Sequence, residues 1–289
     1  MNTNNNKVTT KQELIPGNAL ELIQNIESNT QDLIILDPLF DINEKDSSFI
    51  LEESFRVSDD FGSMWHFIDW QHAAETKIRA EKAGWTILNW IIWSRVSPGT
   101  NTKTYKNSSE HLLWFVKNPK DYTFHKQFRE LTGSDVLPYY NGDGSPRGWF
   151  YDDETGERKR YAEIPNTWNY SENEDNVWHM TRPGWSDYEK TKHPMQKPRK
   201  LCDRILLTSS NIGDNVLDIF CGSGSFIESA QRLNRNCIGF EQNPEYISLI
   251  QDRLDGKIEN KRTIAQTEKN KNESTKQSKP TKIISSIII

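Results

Sequence analysis

Short apolar runs alternate with amphipathic segments along most of the chain, which is the pattern of an α/β fold. Residues 33–36 (LIIL) form a continuous apolar run that ends at Asp37-Pro38, as expected of a strand buried on both faces. Further strands are predicted at 85–93, 111–116, 215–220 and 237–240. Helices are predicted at 64–83, before Gly84, and at 198–211, 225–233 and 244–254. This alternation predicts a mostly parallel, twisted sheet with helices on both faces.

The two ends and one internal segment depart from this alternation. Residues 1–12 are polar and are predicted to be flexible, and residues 256–289 are predicted to form a disordered basic tail that ends in IISSIII. Residues 118–192 are rich in Gly, Pro, Asn and aromatic residues, which predicts an inserted, loop-rich region over the functional edge of the sheet. We therefore expect one domain at 13–255 that carries this insertion.

Composition and charge exclude several classes of protein. The chain has 289 residues, 34% of them hydrophobic, which is enough for a large buried core. No stretch approaches the roughly 20 apolar residues of a membrane helix, so an intracellular protein is expected. The three cysteines have no paired spacing, so neither a disulfide framework nor a metal site is expected. The net charge of -5 argues against a protein that coats nucleic acid through bulk positive charge, although a local basic cleft is compatible with it.

A glycine turn follows one of the predicted strands, in the sequence DIFCGSG that begins at Asp218. Gly222 and Gly224 let the backbone turn sharply and let a ligand lie against main-chain N–H groups. Glu241 ends the next predicted strand, where a carboxylate can accept hydrogen bonds from both hydroxyls of a ribose. Because the third glycine of GxGxxG is absent, a nucleoside without phosphates fits better than a dinucleotide. An ordinary strand-to-helix turn with an exposed glutamate is the alternative interpretation.

A second group of candidate residues follows the first predicted strand, in the sequence DPLF. Asp37, Pro38 and Phe40 bring together a carboxylate, the carbonyl of a rigid turn and an aromatic ring. Two acceptors can bind the hydrogens of an amine on a flat heterocycle while the ring stacks on its face. This geometry favours the pyramidal, attacking form of the amine. A plain turn at the end of a strand is the alternative.

A third motif, KHPMQKPR at 192–199, precedes the helix predicted at 198–211. Its two prolines make a stiff loop, and Lys197 could pair with a carboxylate such as that of an amino acid. A solvated basic loop is the alternative.

The order of the three motifs resembles that of the permuted, beta-group amino-methyltransferases of DNA, which use S-adenosylmethionine to methylate adenine N6 or cytosine N4. That family has a DPPY-type tetrapeptide first, an HPTQKP-type loop late and an FxGxG turn last, as DPLF, HPMQKP and FCGSG stand here. Residues 17–21 (GNALE) and 93–117 carry further matches, and the resemblance covers about 13–254. It implies a Rossmann-like methyltransferase fold with a circularly permuted motif order. The catalytic domain would be 13–255, with a target-recognition region at about 118–192.

The resemblance also implies a role for each motif residue. Asp37 and Pro38 would accept the amine hydrogens, and Phe40 would stack on the target base. S-adenosylmethionine would be held by the remaining candidates: Asn18 near its adenine, Glu241 at its ribose, Asp218, Phe220, Gly222 and Gly224 at its methionine end, and Gln196 and Lys197 at its amino-acid end. No metal ion is implied.

The function that the resemblance implies is methyl transfer to the N6 amine of an adenine flipped out of double-stranded DNA, since Asp opens the tetrapeptide. Cytosine N4 or an RNA adenine are alternative acceptors. A catalytically inactive nucleic-acid-binding or partner subunit is a third interpretation, suggested by Leu39 in place of the second proline, and a nicotinamide oxidoreductase is a distant fourth. A homodimer or companion subunit, a role in restriction-modification, and a place in the cytoplasm, or in the nucleoid or nucleus where the DNA is, are further expectations.

Overall fold

The computed structural model describes residues 9–38, 42–94, 103, 105, 107–125, 128–130, 149–151, 158–163, 177–180, 182–183 and 189–258. Residues 1–8 and 259–289, on which most of the predicted flexible N-terminus and basic tail fall, lie outside the described residues. The first strand begins at Gln12, one residue before the predicted start of the domain.

The described residues form the following helices: α1 (Ala19–Leu22), continued by a 3-10 turn (Ile23–Asn25), α2 (Glu44–Val57), α3 (Ala73–Lys82), α4 (Arg199–Ser209), α5 (Ser225–Arg232) and α6 (Pro244–Leu254). They form these strands: β1 (Gln12–Pro16), β2 (Gln31–Leu36), β3 (Ser58–Ile68), β4 (Thr86–Ser94), β5 (Ser109–Val116), β6 (Phe128–Glu130), β7 (Trp149–Tyr151), β8 (Arg158–Glu163), β9 (Val177–His179), β10 (Asn215–Asp218) and β11 (Asn236–Glu241). Among the helices described, none has the length and apolar character that crossing a membrane requires.

Eight strands form one sheet in the order β1-β11-β10-β2-β3-β5-β4-β9. The first five are parallel neighbours, β5 is antiparallel to both β3 and β4, and β9 pairs in parallel with β4. The chain passes from β10 to β11 on one side and from β2 to β3 on the other, so the strand order reverses between β10 and β2. Open α/β sheets bind their ligands at the carboxyl ends of the strands beside such a reversal.

Helices cover both faces of this sheet. Leu33 and Ile35 of β2 are buried in a core that also contains side chains of α4, α5 and α6. Ile34 and Leu36 are buried in a second core that contains side chains of α1, α2 and α3. Because successive side chains of a strand point to opposite faces, the apolar run of β2 serves both cores. The predicted Rossmann-like α/β class, with a mostly parallel sheet, is confirmed.

One predicted element is wrong. The helix predicted at 64–83 divides, because residues 64–68 belong to strand β3 and α3 begins only at Ala73. The Asp69 carboxylate accepts hydrogen bonds of 3.0 and 2.9 Å from the backbone N–H groups two and three residues further on. This side-chain turn ends the strand and leads into α3.

The segment 118–192 contains two structural parts among its described residues. Strands β6, β8 and β7 form a separate antiparallel sheet in that order. Strand β9 instead joins the edge of the main sheet, where Trp93 is the partner of Trp178. The predicted insertion thus includes one strand of the main sheet.

Candidate active site

A cavity of about 690 Å³ opens at the carboxyl ends of β2, β10 and β11. The backbone N–H of Ile219 donates to the carbonyl of Ile35 at 3.1 Å, which joins the ends of β10 and β2 beside it. All three motifs contribute to its wall, which contains the following predicted site residues: Asn18, Asp37, Pro38, Lys197, Phe220, Gly222 and Glu241. The acidic-proline corner and the glycine turn, far apart in sequence, therefore meet in one cavity.

The glycine turn after β10 has a backbone conformation that favours glycine. Gly222 has φ +52° and Gly224 has φ +74°, both in the left-handed region. A Cβ at Gly224 would lie 2.9 Å from Cγ1 of the buried Ile250. The N–H of Cys221 donates to the carbonyl of Phe240 at 2.9 Å. The turn is thus fixed by its own backbone and by close packing against α6.

Glu241 lies at the end of β11 and contacts this turn. Its Oε2 accepts the N–H of Gly222 and its Oε1 accepts the N–H of Asn243, both at 2.8 Å. Each carboxylate oxygen has a second lone pair, so the group can also accept hydrogen bonds from ligand hydroxyls. Asn18 lies on the same wall, where its Oδ1 caps α1 by accepting the N–H of Leu20 at 2.9 Å. Its amide nitrogen carries two further donors.

The acidic-proline corner is held by ion pairs. Lys197 Nζ lies 2.8 Å from Asp37 Oδ1 and 2.7 Å from Oδ2. The same ammonium lies 3.5 Å from Glu110 Oε2, and Glu110 also pairs with Arg182. The resemblance predicts Lys197 beside the amino-acid end of the cofactor, whereas here it contacts Asp37. Glu110 lies in the 93–117 stretch that matches the family pattern, but the sequence analysis assigned it no role in the site.

Four predicted residues are not on the described wall, and one of them is Gly224, which packs against Ile250. Asp218 is 1% exposed, and burial raises its pKa to about 7. Gln196 stabilises its own loop, because its Oε1 accepts the N–H of Thr191 at 2.8 Å and its Nε2 donates to the carbonyl of Glu189 at 2.6 Å. Phe40 lies outside the described residues.

His193 is a wall residue that the sequence analysis did not single out. Its ring packs edge-on against Tyr246 at 4.4 Å between centroids, and a Cβ at Gly222 would lie 3.1 Å from its Nε2. Burial lowers the pKa of His193 to about 4, although the Asp37 carboxylate acts in the opposite direction. The imidazole is therefore neutral near pH 7.

The chemistry of this wall fits S-adenosylmethionine. Phe220, Phe240 and Tyr246 offer apolar surface for a flat heterocycle, and Glu241 offers a carboxylate for ribose hydroxyls. The left-handed glycines leave room for a ligand to approach the backbone. Within the described ranges, no group of three or more His, Cys, Asp or Glu residues is placed to hold a metal ion.

Comparison with known proteins agrees with this assignment. The model of the DNA methylase family of N6 and N4 methyltransferases matches residues 32–252. The DNA adenine methyltransferase YhdJ of Escherichia coli (strain K12) is 31% identical over 262 residues, which cover 84% of this chain and 82% of the relative. The type II methyltransferase M.HpaI of Haemophilus parainfluenzae is 29% identical over 263 residues, which cover 86% of this chain and 75% of the relative.

Solved structures share the fold. The complex of M1.HpyAVI with SAM has a TM-score of 0.59 and 24% identity, covering 84% of this chain and 98% of that chain. The cytosine-N4-specific PvuII DNA methyltransferase has a TM-score of 0.60 and 15% identity, covering 85% of this chain and 87% of that chain.

Proposed function

Since the chain belongs to the DNA methylase family of N6 and N4 methyltransferases, we propose that it transfers a methyl group from S-adenosylmethionine to the N6 amine of an adenine in DNA. The family resemblance predicted from the motifs is thereby confirmed. Adenine as the acceptor is supported by YhdJ, which is named a DNA adenine methyltransferase, and by Asp37 as the first residue of the tetrapeptide. The relatives named type II methyltransferases support a place in a restriction-modification system.

One observation carries the proposal: Asp37 and Pro38 share a cavity with Gly222 and Glu241. An amine-binding corner and a nucleoside-binding turn are useful for methyl transfer only if the acceptor and the donor can meet. The adjacent positions of β2 and β10 in the sheet bring the two motifs to the same edge.

The corner residues would bind and orient the target amine. Bound S-adenosylmethionine would supply a methyl group on an electrophilic sulfonium. The Asp37 carboxylate and the Pro38 carbonyl accept the two amine hydrogens, which turns the nitrogen lone pair out of conjugation with the base. Asp37 can then accept the proton that the methylated nitrogen must lose. Phe40, outside the described residues, is proposed to stack on the base.

DNA must deform to reach this corner, because the amine of a paired adenine is engaged within the duplex. The base has to leave the stack, at a cost of a few kcal/mol. We assign the compensating DNA contacts to the region 118–192. A homodimer would suit a palindromic site, since both have two-fold symmetry, and sedimentation with and without DNA tests it. The protein would act wherever cellular DNA is, in the cytoplasm or nucleoid.

The decisive variant is Asp37→Ala, accompanied by the isosteric Asp37→Asn. Both should lower methyl transfer from labelled cofactor to duplex DNA by about 10³-fold, because the amine loses its charged acceptor. Calorimetry should show cofactor affinity within about threefold of wild type. Asp60→Ala removes an exposed carboxylate from β3 and should behave as wild type. An active Asp37→Ala protein would contradict the mechanism.

Mass spectrometry of nucleosides identifies the acceptor. DNA and RNA that have reacted with labelled cofactor are digested, and the methylated nucleoside is measured. We expect N6-methyladenine from DNA. N4-methylcytosine, or methylated adenine from RNA alone, would refute the acceptor assignment. Sequencing of the modified positions then gives the recognition site.

A further inference from the structure

Four charged side chains of alternating sign form a row of contacts that begins at Asp37, on the cavity wall. The row continues through Lys197 and Glu110 to Arg182. Lys197 Nζ contacts both Asp37 oxygens at 2.8 and 2.7 Å and lies 3.5 Å from Glu110 Oε2. Glu110 pairs in turn with Arg182, whose guanidinium also donates to Met195 Sδ at 3.2 Å. Two carboxylates and two cations thus balance one another. Of the four, Asp37 is the residue that would touch substrate.

Burial makes the position of the Lys197 ammonium depend on these carboxylates. Lys197 and Glu110 are 4% and 3% exposed. Nζ lies 4.7 Å from the ring centroid of Phe67 and 5.9 Å from that of Trp93, so two aromatic rings lie beside it. A buried ammonium without a partner is strongly destabilising. It therefore stays where its three N–H donors can meet both Asp37 and Glu110.

The backbone on either side of this contact is fixed. The carbonyl of Lys197 accepts a hydrogen bond of 3.0 Å from Ser225 Oγ, at the first residue of α5. Glu110 lies within β5, paired with Trp93 of β4. Asp37, at the end of β2, has a side chain that is 22% exposed. The Asp37 carboxylate is thus the cavity end of a contact whose other members are held by the sheet and by α5.

From this arrangement we propose that Glu110 is a positioning residue: it shares the Lys197 ammonium with Asp37 and so fixes the direction of the carboxylate that receives the target amine. The inference rests on the proposed function, because it concerns the same corner. Without the charge of Glu110, Asp37 is the one carboxylate among the described residues that pairs with the ammonium. Lys197 then competes with the amine for the Asp37 oxygens, and the carboxylate turns away from the cavity.

The test is Glu110→Gln, which keeps the size of the side chain and an acceptor for Arg182. We expect kcat for DNA methylation to fall roughly 10- to 100-fold, because a misdirected acceptor spoils the attack geometry. The KM values for DNA and cofactor should stay within about threefold. Glu110→Asp keeps the charge and should retain more activity than Glu110→Gln. If Glu110 only filled space, Glu110→Gln would be the more active variant, because it keeps the size of the side chain. The matched control is Glu53→Gln, which breaks an ion pair with Arg56 in α2, on the opposite face of the sheet, and should keep wild-type kcat.

Several results would overturn the proposal. One is a wild-type kcat in Glu110→Gln, and another is higher activity in Glu110→Gln than in Glu110→Asp. A third is a raised KM for the cofactor at unchanged kcat in Glu110→Gln, which would indicate that Lys197 binds the cofactor. A crystal structure of the wild-type protein with S-adenosylhomocysteine gives a second readout that needs no activity. Lys197 Nζ should keep its contacts to Asp37 and Glu110, and transfer of Nζ to the cofactor carboxylate would refute the proposal. Loss of these contacts would refute the proposal even if Glu110→Gln fails to fold. Wild-type protein that methylates no adenine would instead refute the proposed function.

Discussion

The two walls of the cavity are held together by different forces. The glycine turn depends on left-handed backbone at Gly222 and Gly224, on backbone hydrogen bonds such as that from Cys221 to Phe240, and on the Glu241 carboxylate that accepts the Gly222 N–H. The acidic-proline corner depends on a buried ion-pair contact among Asp37, Lys197 and Glu110, which come from separate parts of the chain. Added atoms should therefore disturb the turn, whereas a lost charge should disturb the corner. Variants at each wall can test whether the two walls respond differently to these changes.

The largest effect is expected for Gly224→Ala. The new Cβ would meet Ile250 Cγ1 at 2.9 Å, and alanine disfavours φ +74°. The backbone term is about 1 kcal/mol and overpacking against a buried side chain adds about 2 kcal/mol. We expect the free energy of unfolding to fall by about 3 kcal/mol and cofactor affinity by at least about tenfold. Urea unfolding and calorimetry measure the two.

Gly256→Ala is the matched control for this prediction. Gly256 also has a positive φ, +69°, but a Cβ there would have nothing within 4 Å. It should cost about 1 kcal/mol and leave cofactor affinity unchanged, since only the backbone term applies. Equal losses in the two variants would show that packing against Ile250 does not hold the turn.

The sequence predicts the fold well wherever burial is regular. The apolar run at 33–36 and the strand–turn–helix–strand order after 215 are local patterns, and both are confirmed. The helix at 64–83 is wrong because Met64 and Trp65 are buried in different cores. A strand buried on both faces has no alternation, so its apolar residues can fit a helical period by chance.

The site is predictable only in part, for a related reason. The glycines and Glu241 stand next to elements that the sequence itself predicts, so their meeting at one sheet edge could be expected. Glu110 and Lys197 are far apart in the chain, and nothing local indicates that they share an ammonium contact. Their pairing depends on the antiparallel position of β5 beside β3. That position is a property of the whole sheet.

Asp218→Asn tests the comparison between the glycine turn and the acidic-proline corner. Asp218 is a buried carboxylate under the turn, and no cation partner is described for it. Burial raises its pKa from 3.8 to about 7. The folded state thus holds a proton that the unfolded state has lost, and this contribution to stability disappears as the pH rises from about 4 through 7. We expect Asp218→Asn to gain about 2 kcal/mol over wild type at pH 8, a gain limited by the buried amide, and little at pH 4.

Urea unfolding of the cofactor-free protein across this pH range measures that difference. The exposed Asp60→Asn should follow the wild-type curve, since its carboxylate is in contact with solvent. If Asp218→Asn also runs parallel to wild type, Asp218 is ionised in the folded protein, and the turn holds a charge as the corner does.

The smallest effect concerns His193, which contacts the turn through Gly222 but belongs to the loop that carries Lys197. Burial lowers its pKa from 6.5 to about 4, so its contribution to stability is present above about pH 6.5 and is lost as the pH falls towards 4. Since solvent screens the half-buried ring, His193→Gln should reduce the acid loss of stability between pH 7 and 5 by about 1 kcal/mol. The remaining acid loss should include that of His66, whose pKa burial also lowers to about 4. If His193→Gln leaves the pH dependence of the free energy of unfolding unchanged, the imidazole takes up a proton as readily in the folded protein as in the unfolded chain. The loop between the two walls is then more open to water than its packing indicates.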